Sequence, residues 1–238
     1  MNKAAPAVNA PVVIAIDGPA ASGKGTLARR IAETLGYAWL DTGLLYRAAG
    51  AGALDAGGDP GDAAAAAAAA ERLAERIRCE GPAVLDDPRL RGDAMADAAS
   101  KLSAVPRARA ALLDVQRDFA RRPADGRGIA AGAVLDGRDI GTVICPDATV
   151  KLFVTAGVDE RARRRVKELQ ARGQTAIYEA VLEDLRQRDA RDSQRAVAPL
   201  AQARDAFLLD TSALDADQAL AAALAVIRTA LSRASTHP

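Results

Sequence analysis

The sequence predicts an α/β fold in which a five-stranded, mostly parallel sheet carries helices on both faces. Short β-branched apolar runs alternate along the chain with segments of helical periodicity, a pattern typical of parallel sheets with crossover helices. The first run, Val12–Ile16, leads into a glycine-rich loop and then into a helix with Leu27, Ile31 and Leu35 on one face. The chain has 238 residues, and we expect residues 1–238 to form one domain.

The loop Gly18-Pro-Ala-Ala-Ser-Gly-Lys-Gly-Thr26 has the composition of a phosphate-binding loop. Its glycines let backbone N–H groups turn inward around an anion. Lys24 can reach the β- and γ-phosphates of a nucleotide, and the helix that begins near Gly25 directs its positive end at the same place. Gly25 stands where the common pattern has Ser or Thr, and Thr26 follows it. The loop therefore predicts nucleotide binding.

The remaining elements are predicted in chain order from periodicity and from helix-end signals. Gly36 ends the first helix, Asp62 can cap an alanine-rich helix, and Pro106 suits the first turn of another. The pattern predicts helices over residues 25–35, 63–77, 93–103 and 106–122, one that ends at about residue 56 and one that begins at about residue 215. It predicts strands over residues 37–40, 129–135, 150–155 and 206–210.

Residues of about 59–100 are interpreted as a small insert on the core domain. The segment contains the alanine run Ala63–Ala70, which favours a helix. Weak, short strand signals follow over residues 76–85, around Gly81 and Pro82, and a loop is expected over residues 86–92.

The composition argues against nucleic acid and membrane partners. The formal net charge is +1 and aromatic residues make up 3% of the chain, whereas nucleic-acid binders carry a basic excess and stack bases on aromatic rings. No apolar segment approaches the length of a membrane span. Cys79 and Cys145 have no metal-ligand spacing and indicate a reduced, cytoplasmic compartment. The one histidine, His237, lies in the C-terminal tail, which argues against histidine-based chemistry.

Polar residues follow the second and third predicted strands, in Asp41-Thr-Gly-Leu-Leu-Tyr-Arg47 and Asp136-Gly-Arg-Asp-Ile-Gly-Thr142. Ligands of open α/β sheets bind at the carboxyl ends of the strands, so Thr42 and Arg47 are expected near the phosphate loop. Asp136 can hold Mg²⁺ directly or through water. The residues alone leave two simpler roles open, a turn cap for Asp136 and a helix-surface position for Arg47.

Two arginine-rich stretches, residues 159–166 and 186–195, precede the last strand. In the second, three arginines and one acid fall on one helical face, namely Arg188, Arg191, Asp192 and Arg195. Such a face is commonly a solvated ladder of ion pairs. It is equally consistent with a lid of cations that closes over a transferring phosphoryl group.

Five segments together resemble the bacterial cytidylate kinases, in the same order and at similar intervals over nearly the whole chain. They are residues 18–26, 40–47, 98–109, 136–142 and 188–195. The resemblance implies a P-loop kinase fold with a monophosphate-binding insert and a short arginine-rich lid over about residues 157–173. It implies transfer of the γ-phosphoryl group of ATP to CMP or dCMP, with Mg²⁺, in pyrimidine nucleotide metabolism. We expect a monomer, because no apolar surface stripe is evident.

The resemblance also implies roles for individual residues. The ATP-binding residues would be Gly18, Pro19, Ala20, Ala21, Ser22, Gly23, Lys24, Gly25 and Thr26. The residues that hold the acceptor phosphate would be Thr42, Arg47, Arg138 and Arg195; those that contact cytosine, Ser100, Arg109 and Asp139; and those near the pentose, Arg188 and Asp192. The lid arginines would be Arg161, Arg164 and Arg165, and the catalytic residues Lys24, Arg138, Arg188 and Arg195. Mg²⁺ would be held through phosphates and water, with Thr26 and Asp136 as candidate ligands.

The insert departs from the family pattern, in which a small antiparallel sheet stands where this chain has its alanine run. This departure leaves open how the chain closes on its acceptor. Two alternative functions also stay open: a small-molecule P-loop kinase with another acceptor, and a P-loop ATPase with no acceptor.

Overall fold

The computed structural model describes residues 11–124 and 128–236. Within these ranges, five strands form one sheet in the order β2-β3-β1-β4-β5, and every neighbouring pair is parallel. The strands are β1 (Val12–Asp17), β2 (Ala38–Asp41), β3 (Gly132–Gly137), β4 (Val150–Thr155) and β5 (Phe207–Asp210). The predicted α/β fold is therefore confirmed, with a sheet that is wholly parallel. His237 and the N-terminal residues 1–10 lie outside the described ranges.

Helices cover both faces of the sheet. They are α1 (Lys24–Leu35), α2 (Thr42–Asp55), α3 (Ala63–Glu80), α4 (Asp93–Leu102), α5 (Pro106–Arg121), α6 (Val158–Ala171), α7 (Tyr178–Gln194) and α8 (Ala216–Thr236). One apolar layer joins Leu135 of β3 to Leu45 of α2 and Leu112 of α5. The other joins the strands to Ile31 of α1 and Ile227 of α8. Alternate strand residues thus enter opposite layers, as the period of a strand requires.

Strand β3 begins later than the sequence predicts. The expected range was 129–135, but the ladder with β1 starts at Val12 opposite Gly132 and continues to Asp17 opposite Gly137. Ile129 lies before this ladder, is 84% exposed, and forms an isolated antiparallel bridge with Ala124. The strand also ends two residues later than predicted, at Gly137, which places Asp136 inside it.

The strand signals predicted within the insert are wrong. Helix α3 continues to Glu80, and two short 3-10 turns, Pro82–Leu85 and Pro88–Arg91, follow it. Asp62 caps α3 as predicted, since its carboxylate accepts hydrogen bonds from the backbone N–H groups of Ala64 and Ala65. Gly81 ends the helix at φ 82°, a conformation that favours glycine.

The alanine run allows α3 to pack closely against its neighbours. Ala66 and Ala70 are fully buried and belong to the same apolar layer as Ala108 and Leu112 of α5. Small side chains allow the backbones of two helices to approach closely. Because α3 extends to Glu80, most of the segment 76–85, where strand signals were predicted, is helical. In the part of the chain that the structure describes, the insert is entirely helices and turns.

None of the described helices combines the length and the apolar character that crossing a lipid bilayer requires.

Candidate active site

The loop after β1 is shaped by close contact with β4. A Cβ atom at Gly18 would lie 2.0 Å from the backbone oxygen of Val154, so only glycine fits. Ala21 and Gly23 both have positive φ, 57° and 84°, and Gly23 directly precedes α1. No described side chain caps α1. The first backbone N–H groups of this helix are therefore available to an anion.

A cleft of about 360 Å³ opens beside the loop. Residues from the loop, from the carboxyl ends of β2 and β3, and from α4 to α7 form its walls. Among the described residues, its basic lining side chains are Lys24, Arg47, Arg109, Arg138, Arg165, Arg188 and Arg195. Its acidic lining side chains are Asp41, Asp136, Asp139, Glu168, Asp184 and Asp192. A cleft with this many basic groups suits a polyanionic ligand.

Lys24 lies where α1 meets the cleft, and its Nζ donates a hydrogen bond to the backbone oxygen of Pro19 at 3.3 Å. Burial and the nearby Arg138 guanidinium lower the pKa of Lys24, although Asp136 and other carboxylates oppose the shift. A phosphate group beside Nζ would favour the charged ammonium. The surroundings of Lys24 therefore fit an anionic ligand.

Asp136 is buried with its two oxygens in different surroundings. Oδ2 accepts a hydrogen bond of 2.8 Å from the indole Nε1 of Trp39. A Cβ atom at Gly25 would lie 3.9 Å from Oδ1, so this oxygen faces the start of α1. Burial and the neighbouring Asp41 raise the pKa of Asp136. A cation at Oδ1 would favour the ionised carboxylate, which fits a place beside Mg²⁺.

The protein itself offers few metal ligands. Among residues 11–124 and 128–236, no three His, Cys, Asp or Glu side chains are grouped so that they could hold a metal ion. Mg²⁺ commonly takes one or two protein ligands and completes its shell with phosphate oxygens and water. Asp136 and Thr26, which both line the cleft, fit that arrangement.

One wall of the cleft is built around a buried ion pair between Arg109 and Asp139. The guanidinium carbon of Arg109 lies 5.4 Å from the ring centroid of Tyr46, within cation–π distance. In the same wall, Ser100 Oγ is buried and has no hydrogen-bond partner among the described residues. A bound polar ligand would satisfy this hydroxyl.

The cations at the centre of the cleft are only partly neutralised. The Nε atom of Arg138 donates to Asp192 Oδ2 at 2.8 Å. Arg195 Nη2 is buried without a hydrogen-bond partner among the described residues, and burial lowers the pKa of Arg195. Burial and the nearby Arg165 and Arg188 also lower the pKa of Arg47, although Asp41 opposes the shift. An anion placed between these arginines would be strongly favoured.

The arginines of residues 161–165 point in three directions. Arg165 lines the cleft, Arg164 lines a second cavity, and Arg161 lines neither. Arg161 is buried and donates to both carboxylate oxygens of Asp189 and to the backbone oxygens of Ala20 and Ala156. This side chain therefore ties α6 to α7 and to the phosphate loop.

Replacing Arg161 with alanine is expected to lower the free energy of unfolding by about 2 kcal/mol, because the half-buried Asp189 loses its counter-charge and the backbone oxygens of Ala20 and Ala156 lose a charged donor. Arg163→Ala is the matched control, because Arg163 is 61% exposed and its ion-pair partner among the described residues is Glu160 on the same helix. Urea denaturation of both variants measures the difference. Equal stability of the two would show that the Arg161 pair contributes nothing beyond a surface pair.

The second cavity, of about 270 Å³, lies on the other side of the phosphate loop. It shares Ser22, Gly23 and Thr26 with the cleft. Its remaining walls include the apolar side chains of Leu27, Val154, Leu214 and Ala219. One loop thus borders a strongly charged cleft on one side and a more apolar cavity on the other.

Comparison with known proteins identifies the family. The family model described as Cytidylate kinase matches residues 14–229. The chain belongs to the cytidylate kinase family. It is 60% identical over 215 residues to the Cytidylate kinase of Paramagnetospirillum magneticum, covering 90% of this chain and 97% of that one. It is 57% identical over 216 residues to that of Rhodospirillum rubrum, covering 91% and 97% of the two chains.

One solved structure, of an uncharacterized protein from Eubacterium ventriosum, superposes on this family member with a TM-score of 0.53. The match covers 91% of this chain and 98% of that chain at 13% identity. It supports the fold alone.

Most residues that the sequence singled out come together in the cleft. Gly18 and Pro19 instead shape the loop from outside it, and Arg161 and Arg164 lie elsewhere. Sequence reasoning missed Trp39, Tyr46 and Asp17. The tyrosine could have been found within the segment 40–47, but nothing local marked the other two.

Proposed function

We propose that this cytidylate kinase family member transfers the γ-phosphoryl group of ATP to CMP or dCMP, giving ADP and CDP or dCDP. The observation that supports it best is that two cavities of different character meet at one phosphate loop, through Ser22, Gly23 and Thr26. A kinase needs a donor and an acceptor on opposite sides of the transferring group. An ATPase without an acceptor has no use for a separate arginine-lined cleft beside its nucleotide cavity.

On the donor side, the apolar cavity would take the nucleoside of ATP and the loop would take its phosphates. Leu27, Val154 and Leu214 offer apolar contacts to a base. Ser22 Oγ is buried without a hydrogen-bond partner among the described residues, as expected of a group that awaits a ligand.

On the acceptor side, the central arginines would hold the monophosphate, and the wall around Arg109 would hold the base. Arg47, Arg138 and Arg195 would contact the phosphate, and Arg188 and Asp192 would lie near the pentose. The amino edge of cytosine needs an acceptor and its carbonyl edge needs donors. Ser100, Arg109 and Asp139 provide both kinds of group in one buried wall.

The chemistry then requires alignment and charge neutralisation more than proton transfer. The acceptor phosphate is already ionised, so no strong general base is needed. Lys24 and the arginines hold two polyanions in line and stabilise the charge that spreads over the transferring group. Bound Mg²⁺ would neutralise further phosphate charge, with Asp136 and Thr26 beside it.

The hairpin of α6 and α7 would act as the lid, and the insert of about residues 59–100 would carry part of the acceptor site. Arg165 and Arg188 extend from the two lid helices into the cleft. Closure of the hairpin would exclude water, which otherwise competes as acceptor.

A coupled ADP-release assay with ATP and Mg²⁺ tests the proposal. CMP, dCMP, UMP, AMP, shikimate and no acceptor are offered in parallel. We expect strong turnover with CMP and dCMP alone. Turnover with AMP or shikimate but not CMP would show that the protein is a kinase with a different acceptor. ATP hydrolysis that does not depend on an acceptor would contradict the kinase proposal and support only the assignment of the phosphate loop.

We further propose that the protein is a monomer of a reduced, cytoplasmic compartment. Both cysteines are free, and the exposed large apolar side chains lie on several different elements. Light scattering after gel filtration is expected to give a mass near 24.6 kDa. A mass twice as large would contradict the monomer.

A further inference from the structure

We propose that Asp17 is a positioning residue for the acceptor pocket, because it caps the turn after β3 and so leaves the Asp139 carboxylate to pair with Arg109 in the pocket wall. The inference rests on the proposed function. It concerns a residue that lies outside the five family segments and does not line the cleft.

Asp17 is the last residue of the central strand β1 and lies beside Gly137 of β3. Its carboxylate is buried, with a residue exposure of 4%. Oδ1 accepts a hydrogen bond from the backbone N–H of Ile140 at 2.7 Å, and Oδ2 accepts one from Gly141 at 2.8 Å. Both oxygens therefore hold consecutive amides of the segment that carries Arg138 and Asp139.

These two amides begin a π-helical turn, Ile140–Ile144, and Asp139 occupies the position just before it. An aspartate at such a position commonly accepts a hydrogen bond from the first amides of its own turn. Asp139 makes no such bond, and its carboxylate instead pairs with Arg109. Asp17 supplies from the neighbouring strand the cap that Asp139 would otherwise supply.

The turn is held tightly against Asp17. A Cβ atom at Gly141 would lie 3.4 Å from Asp17 Oδ2 and 3.1 Å from Cδ of Lys151, so little space is left for the turn to shift. Asp17 also directly precedes Gly18 of the phosphate loop. A single buried carboxylate thus borders both the donor loop and the acceptor turn.

The decisive variant is Asp17→Asn, which keeps the size of the side chain. Its amide NH₂ would face one backbone N–H, so one hydrogen bond is lost and two donors oppose each other. Asp139 then competes to cap its own turn and leaves Arg109. We expect the KM for CMP to rise about tenfold or more, since a hydrogen bond to a charged group is lost. The KM for ATP should change by less than about twofold, and selectivity for CMP over UMP should fall.

The double variant Asp17→Asn/Asp139→Asn separates positioning from general structural support. If Asp17 acts through Asp139, the KM for CMP of the double variant should be close to that of Asp139→Asn alone. Asp62→Asn is the matched control, because Asp62 also accepts from two backbone amides but lies exposed at the start of α3. Its KM values should equal those of the wild type.

Two results would overturn the inference while leaving the proposed function intact: equal rises in both KM values, or full additivity in the double variant. If the wild type itself fails to phosphorylate CMP, the proposed function fails and the inference with it. Should Asp17→Asn not fold, Gly141→Ala tests the same turn, since its methyl group would lie 3.1 Å from Cδ of the buried Lys151 and would shift the turn that Asp17 holds. It should raise the KM for CMP alone, and an unchanged KM for CMP would also overturn the inference.

Discussion

Lys24→Ala is expected to lower kcat/KM for phosphoryl transfer by about a thousandfold, as the loss of one preorganised donor at a developing charge does in other enzymes. Lys24 is the basic side chain at the start of α1, where the loop amides face the anion site. Its ammonium would contact the phosphates in the ground state and would stabilise the negative charge that develops on them during phosphoryl transfer. An alanine leaves that charge to the loop amides, the arginines and bound Mg²⁺.

The fold should survive this change. Burial and Arg138 already oppose the charge of Lys24, so its removal takes away an unfavourable interaction. Thermal unfolding of Lys24→Ala should therefore give a Tm equal to or above that of the wild type. Lys167→Ala is the control for lysine removal, because Lys167 is exposed on α6. Retained turnover in Lys24→Ala would contradict the assignment of the phosphate loop.

Asp139→Asn is expected to raise the KM for CMP about a hundredfold and to leave the KM for ATP nearly unchanged. Removing one partner of a buried ion pair lowers the free energy of unfolding by about 3 kcal/mol or more, because the remaining charge, here that of Arg109, stays buried. Arg109 is then no longer held in place in the pocket wall. The same change replaces an acceptor that would face the amino group of cytosine. The effect should therefore appear at the acceptor and not at the donor.

Steady-state kinetics with each substrate varied in turn measures this split. Asp205→Asn is the matched control: Asp205 pairs with the buried Lys151 at 2.8 Å, but its side chain is 66% exposed and lies outside the cleft. Its KM for CMP should match that of the wild type. Equal rises in both KM values for Asp139→Asn would place Asp139 in general support of the fold.

Local sequence patterns predicted most of the fold, because the ends of helices and strands depend largely on residues close to them in the chain. Four of the five strands, and the helix bounds that the sequence predicted, lie within a few residues of those observed; no bounds were predicted for α6 and α7. Gly36 ends α1 in the left-handed conformation, and Asp62 caps α3, as their residue types suggest. The start of β3 differs because it depends on where β1 begins, at Val12 opposite Gly132.

The insert shows where local signals fail. Residues 76–80 have weak strand signals but lie in α3. The alanines before them are buried against α5, and this packing stabilises a helix that continues to Glu80. Tertiary packing outweighs such weak propensities.

The arginine run 161–165 also shows that local sequence signals cannot predict which side chains face the site. Its composition predicts cations near phosphate but not which of them face the ligand. In the folded chain the helical turn places Arg161 on Asp189, Arg164 on Thr211 beside the second cavity, and Arg165 in the cleft.

By itself, the sequence determined the α/β class, the phosphate loop and the family, because each depends on residues close together in the chain or on several segments in a fixed order. Only the tertiary structure decided which side chains position the reacting groups. Trp39 meets Asp136 across 97 positions, and Asp17 meets Ile140 across 123. These contacts exist because parallel strands bring distant carboxyl ends to one edge of the sheet, a proximity that no local pattern records.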